Sequence, residues 1–74
     1  MAEHLFDRMQ RAREKLIPNK GYNLVGVDTM ESDPAEALYL VDHFDDRKEA
    51  EAEAARRQKG QKLVRYYVYG PEDA

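Results

Sequence analysis

The chain has no cysteine in its 74 residues, and Ser32 and Thr29 are its only serine and threonine. Without cysteine, neither a disulfide nor a thiolate–metal site can form, so packing must hold the domain together. No nucleophile stands beside a base in any known catalytic spacing. The four glycines are isolated from one another, so there is no glycine-rich phosphate-binding loop. These absences predict a protein that is not an enzyme and that holds no cofactor.

Long apolar runs are also absent. No segment approaches the roughly 20 apolar residues of a membrane helix, and no apolar leader segment stands at the start. Together with the lack of cysteine, this predicts a cytoplasmic protein without a membrane partner. A length of 74 residues fits one domain, residues 1–74, near the lower limit at which a single core is stable alone. Residues 71–74 are expected to fray.

The net charge of −3 conceals a strong segregation along the chain. Residues 1–27 carry five Lys/Arg against three Asp/Glu, residues 28–54 carry two against ten, and residues 55–74 carry five against two. Solvated helix faces and helix dipoles account for such a pattern in most proteins. The alternative is a bipolar surface that steers a partner or pairs head to tail with a second copy.

Apolar spacing predicts an amphipathic helix over residues 3–17, which Pro18 ends. A strand over residues 22–29 follows, with Val25 and Val27 on one face and Tyr22 and Leu24 on the other. Gly26 interrupts this strand and indicates a bulge or the close approach of a helix. Residues 30–35 are polar and contain proline, which predicts a loop.

A second strand is predicted over residues 36–44, and strict alternation places Leu38, Leu40 and Phe44 on one face. The alanine-rich segment 45–59 predicts a helix capped by Asp45 or Asp46 and ended by a left-handed Gly60.

The last strand, residues 62–69, alternates Val64, Tyr66 and Val68 with Arg65, Tyr67 and Tyr69. We expect the first set to face the helices and the second set to face solvent or a partner.

These elements predict an α+β fold with two layers and the order α-β-β-α-β. Both helices are expected on one face of a three-stranded, mainly antiparallel sheet. The preferred strand order is 2-1-3; a parallel pairing of the two outer strands is the alternative.

His43 lies among three aspartates, but a strand directs Asp42 and His43 to opposite faces, and capping accounts for Asp45 and Asp46. No metal site and no catalytic residue is therefore predicted. His4, the other histidine, lies near the N-terminus and is a weaker candidate than His43.

Cations and tyrosines alternate near the end of the chain, and this strip carries the functional hypothesis. Its members are Arg57, Lys62, Arg65, Tyr67 and Tyr69. Tyrosine and arginine are enriched at protein interfaces, and a three-stranded sheet has one bare face and two unpaired edges. We therefore expect a small interaction or adaptor module that self-associates as a homodimer or binds another protein. The alternative use of the strip is stacking and phosphate contact with single-stranded nucleic acid.

Overall fold

Three helices, three strands and a terminal 3₁₀ helix make up residues 5–74, the part of the chain that this computed structural model describes. In chain order they are α1 (Leu5–Lys15), β1 (Tyr22–Asp28), α2 (Pro34–Ala37), β2 (Leu38–Phe44), α3 (Arg47–Gln58), β3 (Val64–Tyr69) and the 3₁₀ helix (Pro71–Asp73). The strand order is β2-β1-β3, and both pairs are antiparallel. The predicted α+β class and the preferred strand order are confirmed.

The boundaries of α3 follow the predicted local signals. Asp46 is the N-cap, and its carboxylate accepts a hydrogen bond from the Lys48 N–H at 3.3 Å. This settles the choice between the two aspartates. Gly60 has a φ of +76°, the left-handed conformation that ends a helix at little cost for glycine. Within α3, Ala50 is fully buried, so the helix lies close to the sheet through a small side chain.

The segment predicted as a loop contains one helical turn, α2. Asp33 caps it by accepting a hydrogen bond from the Ala35 N–H at 3.0 Å, and Pro34 occupies the first turn, where it needs no donor. Arg8 of α1 forms an ion pair with the same carboxylate at 2.7 Å. Part of the loop prediction is therefore wrong, because the Asp-Pro pair is itself a helix-start signal.

A β-bulge interrupts the pairing of β1 with β2. Leu24 pairs with Asp42, but Val25 pairs with Leu40, so Val41 is an extra residue on β2. The bulge reverses the alternation beyond it. Strict alternation is therefore wrong for this strand: Leu38 and Leu40 share the face of Val25, whereas Phe44 lies on the opposite face with Tyr22.

The two longer helices lie on opposite faces of the sheet, which corrects the prediction of two helices on one face. On the first face, the guanidinium of Arg13 in α1 lies 5.1 Å from the ring centre of Tyr69. The side chain of Asn23, on the same face, donates to the Leu16 carbonyl at 2.8 Å. On the second face, Arg47 of α3 lies 5.9 Å from the ring centre of Tyr22. We call these the α1 face and the α3 face.

The buried core is small. Among the described residues, the buried hydrophobic side chains are Leu24, Val25, Ala37 and Ala50. Only the first two are large, and they lie on opposite faces of β1, because successive residues of a strand alternate. Each face of the sheet therefore has a thin layer of its own.

The last four residues include the 3₁₀ helix. The Gly70 N–H donates to the Asp73 carboxylate at 2.7 Å, and Arg47 contacts Glu72 at 2.7 Å. These contacts join the end of the chain to the start of α3.

Candidate interaction surface

One cross-strand row dominates the α1 face. Leu40 of β2, Val25 of β1 and Tyr67 of β3 are direct partners in the two ladders. Val25 is completely buried, whereas Leu40 is 52% exposed and Tyr67 is 49% exposed. We call these three residues the Leu40–Tyr67 row. Its centre is covered, and both of its ends are apolar side chains open to solvent.

Arg65 lies one row away, where Leu38, Val27 and Arg65 are partners across the sheet. Its side chain is exposed and shares the α1 face with Tyr67. This arrangement joins an aromatic ring and a cation on one surface, as the alternation in β3 predicts.

Tyr69 shares that face but is only half-exposed, because Arg13 lies over its ring. A cation above an aromatic face is attracted by the ring's negative quadrupole. Tyr69 is therefore already occupied by this chain's own helix and offers less surface to a partner than Tyr67 does.

The two remaining predicted site residues lie apart from the row. Lys62 is exposed in the segment that precedes β3. Arg57 belongs to α3, on the other side of the sheet, and its guanidinium lies 2.7 Å from Glu53. Glu53 also accepts from Arg56, and this hydrogen bond is the main reason that the pKa of Glu53 is lowered. The structure therefore brings Arg65 and Tyr67 together but does not form one continuous strip from all five residues.

A shallow apolar cavity of about 270 Å³ adjoins the row between α1, α2 and the sheet. Its lining includes Met9, Val27, Pro34, Leu38 and Tyr67. Met9 is itself 42% exposed, so apolar surface continues from the cavity onto the row.

Tyr39 lies on the α3 face and explains the glycine in the middle of β1. A Cβ atom built on Gly26 would stand 2.5 Å from the Cζ atom of Tyr39. The close neighbour is thus an aromatic ring of the adjacent strand and not a helix, while the bulge lies one residue away. Burial of the ring is the main cause that raises the pKa of Tyr39, followed by the nearby Tyr66 and Asp28.

His43 takes part in a structural hydrogen bond. Its Nδ1 atom lies 2.6 Å from the Oδ1 atom of Asn23, whose amide group in turn donates to the Leu16 carbonyl. The chain's other histidine, His4, lies outside the described residues. Within residues 5–74, no group of three or more His, Cys, Asp or Glu side chains is placed to hold a metal ion.

The outer edge of β3 is occupied by a side chain, a feature that the sequence analysis missed. The amide of Gln58 donates to the Val64 carbonyl at 2.8 Å and accepts from the Tyr66 N–H at 2.9 Å. A side-chain amide has the same donor and acceptor as a peptide group, so Gln58 replaces one peptide of a neighbouring strand. The only available signal was a glutamine at the end of a helix that precedes a strand.

Comparison with known proteins gives no relative: no protein-family model, no curated protein and no solved structure matches this chain. Among the described residues, none of the helices has the length and apolar character needed to cross a membrane.

Proposed function

We propose that this chain is a small protein-interaction module that self-associates through the Leu40–Tyr67 row and the surface around it. The observation that carries this proposal is the exposure of both ends of a row whose centre is fully buried. Leucine and tyrosine side chains left half in water gain free energy when a partner covers them, about 25 cal/mol for each Å² of apolar area.

The thin core supports the same proposal. Small domains bury a low fraction of their surface, and the two large buried side chains here serve different faces. Association would cover apolar side chains of the α1 face that α1 leaves exposed, such as Leu40. A module that is stabilised by its partner suits an adaptor or regulatory role.

The chemistry of the surface favours a protein partner. Tyr67 supplies a large, rigid and amphipathic contact, and Arg65 supplies a planar cation beside it, which are the residue types most common at binding hot spots. For single-stranded nucleic acid, by contrast, a basic groove with several stacking rings is needed. Here Arg13 covers Tyr69, and Arg57 lies on the other side of the sheet, paired with Glu53.

We propose that this module acts in the reducing cytoplasm, because the chain contains no cysteine and therefore needs no disulfide.

The test is the molar mass in solution as a function of concentration, measured by size-exclusion chromatography with light scattering. We expect a reversible shift from the mass of one chain to that of two. Leu40→Ala should raise the dissociation constant about tenfold, because burying the leucines of the two copies contributes more than about 1.4 kcal/mol.

Met30→Ala is the matched control. Met30 is 72% exposed and lies in the turn after β1, away from the row, so its truncation should leave the dissociation constant unchanged. A chain that stays monomeric at every concentration, or a dimer that responds equally to both substitutions, would contradict the proposal.

A further inference from the structure

The two edges of the sheet are not equivalent, and the difference identifies where a second copy binds. The Thr29 N–H donates to the Leu63 carbonyl at 2.9 Å, in the register of the β1–β3 ladder. Hydrogen-bonded positions alternate in an antiparallel pair, so the backbone N–H and carbonyl groups of Arg65 and Tyr67 bond to β1. The backbone groups of Tyr66, between them, point away from β1. Gln58 occupies these outward groups, as described above.

The same alternation assigns the outer edge of β2. Since the backbone groups of Val25 bond to β3, those of Leu24 and Gly26 bond to β2. The backbone groups of their partners on β2, Asp42 and Tyr39, therefore point toward β1. The N–H and carbonyl groups of Leu40 therefore point outward. No hydrogen bond to them is found among the described residues, and no helix side chain covers them as Gln58 covers β3.

The C-terminal end of the β2 edge is protected by a side chain of β2 itself and by the bulge. The outward N–H of His43 is bonded by the carboxylate of Asp42 at 2.7 Å, and the bulge at Val41 breaks the regular spacing. Bulges and inward charges are common protections of an edge strand. The unprotected part is thus a short stretch from Leu38 to Val41, centred on Leu40.

We propose that the β2 edge binds the β2 edge of a second copy, antiparallel and with the two-fold axis at Leu40. This inference rests on the proposed self-association and specifies its geometry. The two Leu40 residues exchange both of their backbone hydrogen bonds, and the sheet extends to six strands. The two copies of the Leu40–Tyr67 row then join end to end, and the half-exposed leucines become cross-strand neighbours.

Charge distribution selects a second copy as the occupant. Along the start of β2, a hollow is lined by Arg8, Arg11, Lys15, Leu38 and Glu36. Arg8 is already paired with Asp33, and the two cations Arg11 and Lys15 exceed the one carboxylate of Glu36. Beyond the end of β2 stand the exposed Asp45 and Asp46. Antiparallel pairing brings the acidic end of each strand toward the basic start of the other, so the edge is complementary to itself.

The backbone is tested by two substitutions at one position. Leu40→Pro removes the outward N–H, and proline is tolerated on an edge strand whose N–H faces solvent. Leu40→Ala keeps that N–H and removes the side chain. We expect Leu40→Pro to abolish the dimer and Leu40→Ala to weaken it about tenfold. A dimer that survives Leu40→Pro would overturn the edge-to-edge geometry while leaving the proposed self-association intact.

Amide hydrogen exchange tests the same geometry in the unmodified protein, so the conclusion does not depend on a variant that fails to fold. The Leu40 amide should exchange rapidly in dilute solution and should become protected in parallel with dimer formation. Rapid exchange at concentrations where light scattering shows a dimer would refute the edge pairing. A monomer at all concentrations would refute the proposed function instead.

A charge reversal completes the test. Asp45→Lys should weaken the dimer, because it places a cation against the basic start of the partner strand. Glu14→Lys makes the same change in charge on the side of α1 that borders Ile17 and the C-terminal residue, remote from β2, and should leave the dimer unchanged. Equal effects of the two variants would refute the charge complementarity that selects a second copy.

Discussion

Alanine in place of Gly26 is expected to destabilise the natural chain and to stabilise a variant in which Tyr39 is already alanine. The positive-φ glycines of the described chain are Gly21 and Gly60, so the backbone at position 26 accepts an alanine. The obstacle is space, because the new Cβ would stand 2.5 Å from Cζ and 2.7 Å from Oη of Tyr39. The ring must leave its position above the strand.

The magnitude follows from two opposing contributions. Overpacking costs about 1–3 kcal/mol, and replacing glycine by alanine within a strand returns about 0.5–1 kcal/mol of conformational entropy. The net effect of Gly26→Ala in the natural chain is therefore a loss of about 1.25 kcal/mol at the middle of both ranges and of at most about 2.5 kcal/mol. When Tyr39 is alanine, only the entropic gain of about 0.5–1 kcal/mol remains.

Urea denaturation of the four proteins in this double-mutant cycle measures both effects. Gly60→Ala is the control, since a Cβ there meets no atom within 4 Å and its cost arises from the φ of +76° alone. That cost, about 1–2 kcal/mol, should be the same in both Tyr39 backgrounds. If Gly26→Ala had the same sign with and without the Tyr39 ring, steric exclusion by the ring could not be the reason for the glycine.

Three further outcomes are expected. Gln58→Ala should expose the backbone groups of the β3 edge and convert dimers into larger, open-ended assemblies, which light scattering would detect. The control Gln10→Ala, at an exposed position of α1, should leave the dimers unchanged. Unchanged dimers in Gln58→Ala would show that Gln58 does not protect the edge. Folding raises the pKa of Tyr39, so the neutral Tyr39 hydroxyl favours the folded state. Its contribution to the free energy of unfolding is complete below the ordinary tyrosine pKa and is lost as the pH rises through the pKa that Tyr39 has in the folded protein. Tyr39→Phe should therefore reduce the alkaline loss of stability in thermal melts at increasing pH, and an identical decline in both proteins would contradict this. Titration with short single-stranded oligonucleotides at low salt should leave the amide signals of Arg65 and Tyr67 unshifted, and shifts that disappear at high salt would favour the nucleic-acid alternative.

Local signals predicted much of the fold. An aspartate cap at Asp45 or Asp46, the left-handed Gly60 and the alternation of β3 each depend on a few neighbouring residues, and each is found in the structure, the cap at Asp46. The strand order 2-1-3 was the preferred one of two alternatives, and the structure has it.

Features that depend on distant pairing could not be predicted in the same way. Helical periodicity indicates which stripe of α1 is apolar but not which face of the sheet it covers, and Arg13 over Tyr69 is visible only in three dimensions. Likewise, the bulge at Val41 arises from the match between two strands. It moved Leu40 onto the face of Tyr67 and so created the row on which the proposed function depends.

The bulge also determines how β2 divides its apolar side chains between the two layers. Alternation has a period of two, so without the bulge the even-numbered residues Leu38, Leu40 and Phe44 would all lie beneath one helix. Across the single extra residue, odd- and even-numbered positions exchange faces of the sheet. The two leucines therefore lie in one layer and the phenylalanine lies in the other. Removing Val41 from the chain would give a regular ladder in which Leu40 still pairs with Val25, so Leu38 and Leu40 would keep their face and the seam between two copies would keep its apolar centre.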